Sequence, residues 1–69
     1  MAGAGKDPTG AAPGTVYFEL TPIGASVKVV AIDAATGTEV SVIGPAHAAQ
    51  ADLRRLALQK LKARLKADT

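Results

Sequence analysis

The sequence predicts an α+β domain in which a three-stranded antiparallel meander packs on one C-terminal helix. Three observations predict it. Apolar residues alternate with period two in three short runs between Thr15 and Ile43, Gly-containing turn segments separate those runs, and a Gly-free, Leu-rich stretch after Pro45 repeats its apolar residues at helical spacing.

The first strand is expected over about 15–22, where Val16, Phe18 and Leu20 alternate with Tyr17, Glu19 and Thr21. Pro22-Ile23-Gly24-Ala25 follows as a turn, combining a fixed φ with a residue that tolerates positive φ. A second strand over about 26–33 sets Val27, Val29 and Ala31 on one side and Lys28, Val30 and Ile32 on the other. Ala34-Ala35-Thr36-Gly37 is the next turn, with Gly37 in the left-handed position, and Asp33 suits a turn-entry role through side-chain capping. The third strand, about 38–43, is rich in β-branched residues.

Hairpin registers must put like faces together. Centring the first turn on Ile23-Gly24 pairs Leu20 with Val27, Phe18 with Val29 and Val16 with Ala31, and sets Glu19 opposite Lys28. Centring the second on Ala35-Thr36 pairs Ala31 with Val40 and Val29 with Val42, so one apolar face runs across all three strands.

Gly44-Pro45 is expected to end the sheet, with Pro45 opening a helix over about 46–66. Leu53, Leu56, Ala57 and Leu61, with Ala49 one turn earlier, form the stripe that covers the sheet. Leu58 lies about 140° around the axis from Leu53. Leu58, Leu61 and Leu65 also share the 3, 4 spacing of a heptad seam, which either follows the twist of the sheet or meets a second helix across a dimer axis.

Residues 1–14 hold four Gly, two Pro and no large apolar side chain after Met1, the composition of a disordered tail in front of a single βββα domain over 15–69. The tail's Gly3-Ala4-Gly5-Lys6 superficially matches a phosphate loop. It lacks the earlier Gly, the Ser or Thr after the Lys, and the preceding strand that such a loop needs. A domain of this size buries only about 60% of its unfolded surface. Without Cys, neither disulfides nor thiolate metal sites can support it, which favours self-association. Neither a secretory leader nor a membrane helix is apparent, and the expected compartment is cytoplasmic.

Two surfaces stand out. By the registers above, the sheet face turned away from the helix shows Tyr17, Val30, Ile32 and Ile43, too apolar for an ordinary solvent face. Isolated exposed apolar residues are common on small proteins. Here they point to contact with a protein partner or a second copy of the chain. The other surface is the helix, where Arg54, Arg55, Lys60, Lys62, Arg64 and Lys66 stand against Asp52 and Asp68. Arg54, Arg55 and Lys62 form a candidate basic patch for nucleic acid, although charged outer faces are usual on helices and cations near a C-terminus also suit the dipole. Without Trp, and with its single Phe assigned to the core, the chain has little to stack on bases.

No catalytic, cofactor or metal constellation emerges, and no small molecule is expected. His47, the sole His, stands at the predicted helix start without a nucleophile nearby. Asp33 and Glu39 approach each other at the second turn, but two carboxylates alone make a weak cation site.

The block VYFELTPIGASVKVVAIDAATGTEVSVIGP, followed by a Leu-rich basic helix, resembles a family of short, uncharacterised alphaproteobacterial proteins classed as a domain of unknown function. The likeness covers about residues 16–66 and is most specific at Tyr17-Phe18-Glu19 and across the hairpin from Ala31 to Ser41. It implies a small strand-strand-strand-helix domain and carries no established activity. The expected role is a non-enzymatic interaction or structural module, self-associating through the outer sheet face or a strand edge. Nucleic-acid binding through the basic helix is the alternative.

Overall fold

The computed structural model describes residues 14–68, so the segment expected to be a disordered tail lies, apart from Gly14, outside the described residues. Three strands follow one another, β1 (Val16–Ile23), β2 (Ser26–Asp33) and β3 (Glu39–Pro45), then one helix, α1 (Gln50–Ala67). The sheet is antiparallel in the order β1-β2-β3, an α+β fold.

The second hairpin has the expected register, with Ala31 opposite Val40 and Val29 opposite Val42. The first is displaced by two residues from expectation: Leu20 faces Val29, Phe18 faces Ala31 and Val16 faces Asp33. Glu19 accordingly lies opposite Val30 and not Lys28, whose β1 partner is Thr21. The cause is the turn. Gly24 takes φ 57° and Ala25 stays out of the positive-φ region, as in a two-residue hairpin with Gly at its first central position. Pro22 and Ile23 are therefore strand residues.

Asp33 N–H donates to Thr38 O at 2.9 Å, and Gly37, at φ 76°, donates its N–H to Asp33 O at 2.7 Å. The buried Asp33 carboxylate fills its expected capping role, accepting from Thr36 N–H at 3.0 Å and Thr36 Oγ1 at 2.7 Å through Oδ2. This locks the turn without leaving the carboxylate unpartnered.

The core combines Val27, Val29, Ala31 and Val40 with Leu53, Ala57 and Leu61, and Val16, Phe18, Leu20, Val42, Ala48 and Leu65 pack around it. Along α1 the row Leu53, Ala57, Leu61, Leu65 steps by four, so it winds about 40° per step and follows the twisted sheet. Leu61 is fully buried and Leu65 packs on the core, so these two members of the seam expected of Leu58, Leu61 and Leu65 serve the chain's own sheet. Leu56, expected in the stripe, is 51% exposed. It follows Leu53 by three residues and falls about 60° off that row.

The helix starts later than expected. Pro45 closes β3, Ala46 N–H continues the ladder to Ala25 O at 2.9 Å, and residues 46–48 form a turn carrying the exposed His47. Gly44 permits this close approach, because a Cβ there would meet Leu53 Cδ2 at 2.5 Å. Ala49 is the N-cap, with extended ψ of 126° and no capping side chain. Asp52 sits in the first turn, favourable to the dipole. Ala49→Ser or Ala49→Asp supplies the missing acceptor and is expected to stabilise the domain by about 1 kcal/mol. The check is a urea midpoint that rises with an unchanged m-value; an unmoved midpoint refutes the prediction.

Candidate interaction surface

The outer sheet face is built by strand alternation. With core-facing residues at even positions on β1 and β3 and odd positions on β2, the opposite face carries four cross-strand rows. They are Tyr17-Ile32-Glu39, Glu19-Val30-Ser41, Thr21-Lys28-Ile43 and Ile23-Ser26-Pro45. All four residues expected on this surface lie on it, in rows differing from those expected because of the shifted first register. Tyr17 is 37% exposed and Ile43 66% exposed, while Val30 and Ile32 are half-buried by their neighbours.

The corrected rows place Tyr17 directly beside Ile32, with Val30 two residues along the same strand and Ile43 diagonal to Val30. Together they make an oblique apolar band, rimmed by Glu19, Glu39 and Lys28. Ile23, 50% exposed, extends the outer face at its far end. The sequence alone puts Ile23 in the turn. The signal that finds it is its parity with Tyr17, Glu19 and Thr21. Two shallow, open depressions flank the band, one lined by Tyr17, Phe18, Glu19 and Ile32, the other by Lys28, Val30, Glu39, Val40 and Ser41. Both are open surface hollows.

The two sheet edges differ. Thr15 O accepts from Ala34 N–H at 3.0 Å. Since hydrogen-bonded pairs alternate along an antiparallel ladder, Tyr17, Glu19, Thr21 and Ile23 exchange main-chain bonds with β2. The N–H and C=O groups of Val16, Phe18 and Leu20 therefore face the open edge, where no described residue pairs with them. Pro22 shares this parity, so its missing N–H costs the ladder nothing. On β3 the bonds Asp33 N–H to Thr38 O and Ala46 N–H to Ala25 O turn the even positions toward β2. Ser41 faces the edge, and its carbonyl accepts from Lys60 Nζ of α1 at 2.7 Å. Pro45, also edge-facing, offers no donor. Each edge thus holds one proline, Pro22 on β1 and Pro45 on β3, and the β3 edge is guarded in addition by Lys60 of the helix.

Several basic residues of the helix are engaged within the chain. Arg55 of the candidate patch bonds Asp52 Oδ1 at 2.7 Å, both side chains largely exposed. Arg64 lies 3.8 Å from Asp68, and Lys60 reaches the β3 edge. Arg54 and Lys62 form no ion pair among the described residues and lie on the flank away from Lys60. The candidate carboxylate pair is also separated, with Asp33 on the core-facing parity and committed to Thr36, and Glu39 on the outer face. Among the described residues no helix is long and apolar enough to cross a membrane, and no three His, Cys, Asp or Glu side chains are grouped to hold a metal ion.

The family model described as Domain of unknown function (DUF6898) matches residues 13–68. No curated protein and no solved structure matches the chain.

Proposed function

Given that the chain belongs to the family described as Domain of unknown function (DUF6898), we propose from its own surfaces that it is a non-enzymatic interaction module that presents a sheet face to another protein chain. The observation that carries this reading is the oblique band of Tyr17, Ile32, Val30 and Ile43. The chain has one helix in its described part, and that helix lies over the opposite face. A band of contiguous apolar side chains rimmed by charge is the usual anatomy of an interface centre and its rim. The shallow hollows beside it suit a flat partner surface better than a small substrate, which needs a concave, largely enclosed site.

The helix gives weaker support to nucleic-acid binding. Arg55 is paired with Asp52, and Lys60 is drawn to the sheet edge, so part of the helix's positive charge is already answered within the chain.

The test is affinity capture of a defined partner chain from the native cell by the immobilised full-length protein. Ile43→Glu and Val30→Glu each bring a carboxylate into the band, and capture is expected to fall at least roughly tenfold, since an unpaired charge in an interface centre costs more than a factor of ten. Arg55→Glu, on the exposed helix face, leaves capture unchanged. Equal capture by all of these variants sinks the reading.

A further inference from the structure

We infer that two copies of the chain join through their β1 edges, antiparallel and centred on Phe18, to form one continuous six-stranded sheet with both helices on the same face. This deepens the reading of the chain as an interaction module by naming a second copy as one partner and β1 as its seat.

The geometry selects β1 first. Its main-chain groups at Val16, Phe18 and Leu20 face an edge with no partner among the described residues, whereas the β3 edge is occupied mid-strand at Ser41 by Lys60; the prolines Pro22 and Pro45 lie near one end of each edge. Unpaired edge groups on a strand without a lysine are a template for another strand. The helix supplies a second reason, since it lies mainly over β2 and β3. That leaves the core-side residues of β1, Val16, Phe18 and Leu20, only half-buried.

The occupant follows from self-complementarity. A two-fold contact places the same patch against itself. With Phe18 at the centre, Phe18 meets its own copy, and Val16 meets the other chain's Leu20, so every core-side contact is apolar on apolar. Each of these pairs exchanges two main-chain bonds, because these residues carry the edge-facing N–H and C=O groups. On the outer face the same register puts Glu19 beside the other chain's Tyr17. The neighbouring register, centred on Glu19, sets two carboxylates directly opposite each other and brings Pro22, which has no N–H, into the ladder. Charge and donor supply thus favour the Phe18 register over the Glu19 one. A domain this small gains from the added burial more than a larger one would. The strip is only five residues long, from Val16 to Leu20, so the pairing belongs to the weak, concentration-dependent class of interface.

Sedimentation and light scattering of the full chain from low to high micromolar concentration test the stoichiometry. Amide hydrogen exchange by NMR at both extremes tests the seat. The expected result is a doubling of mass, with the amides of Val16, Phe18 and Leu20 exchanging at least roughly tenfold more slowly in the dimer. Tyr17, Glu19 and Thr21, already bonded to β2, are protected in both states. Val16→Pro removes an edge-facing N–H without breaking a bond to β2 and weakens the dimer roughly tenfold, two symmetry-related bonds being lost. Phe18→Cys, in a chain otherwise free of cysteine, cross-links across the axis when an added oxidant such as oxidised glutathione accepts the two electrons and protons of the paired thiols, since facing hydrogen-bonded residues stand about 5.5 Å apart at Cα, within disulfide reach.

A monomer at every concentration, or a dimer whose three edge amides exchange as fast as in the monomer, overturns the inference. The exchange measurement uses the unaltered chain, so a variant that fails to fold does not blunt it. Either negative result leaves the outer-face reading to its own test, because Ile43→Glu acts on partner capture and lies away from the β1 edge.

Discussion

Leu61→Ala is expected to cost about 3–4 kcal/mol, the largest single loss among the helix residues. Leu61 and Val29 are the largest fully buried side chains, and Leu61 rests where the helix row crosses the sheet. Truncating a buried Leu removes its transfer free energy and leaves a cavity, together about 2–5 kcal/mol. The surroundings offer little to refill the space, because Val29, Ala31 and Ala57, fully buried alongside, are short and fixed by sheet or helix backbone. Domains of this length hold about 3–10 kcal/mol in all, so the variant forfeits a large share of its stability. Leu56→Ala is the contrasting control: its side chain is half-exposed, and the expected loss is about 1 kcal/mol or less. Urea titration followed by circular dichroism reads both. Similar losses for the two leucines would mean that the helix is not seated by the row of Leu53, Ala57, Leu61 and Leu65.

Gly44→Ala is expected to destabilise by about 1–3 kcal/mol, against the usual sign of that exchange. Alanine restricts the unfolded chain more than glycine, which by itself favours the substitution by about 0.4–1 kcal/mol, and strand propensity points the same way. Space decides the outcome. The added methyl would stand 2.5 Å from Leu53 Cδ2 and 3.4 Å from Cδ1, and Leu53 is 5% exposed, so its side chain has little room to retreat. Overpacking of this kind costs about 1–3 kcal/mol. The diagnostic is the double-mutant cycle with Leu53→Val, which withdraws the clashing methyl. In that background Gly44→Ala becomes nearly neutral, giving a coupling of about 1 kcal/mol or more. An unchanged penalty would place the strain elsewhere.

The sequence made the two faces of the sheet legible and left one alignment open. Alternation has period two, so it forbids slips of one residue and is blind to slips of two. The first hairpin shows this: Leu20 remains on the core side whether it meets Val27 or Val29, and only the two-residue Gly24-Ala25 turn chooses between them. The outer band survived as a set for the same reason, while its rows and the Glu19–Lys28 pairing did not.

Both prolines misled in a related way. Pro22 and Pro45 read as punctuation between elements, yet each occupies a strand position whose nitrogen faces an open edge, where no donor is required. That parity is invisible until the ladder phase is known, and it is why the sequence alone puts Ile23 in the turn and starts the helix too early. Leu56 failed differently. Spacings of three and four both mark a helix face, and only contact with a twisted sheet selects the row that steps by four.

The reach of Lys60 to the carbonyl of Ser41 carries one further consequence. A strand protein with two receptive borders stacks without limit, as fibrils do. Here the chain's own ammonium group already occupies the Ser41 carbonyl of one border and Pro45 withholds a donor there, which disfavours growth through that border. Lys60→Ser would free the Ser41 carbonyl and leave Pro45 as that border's remaining guard.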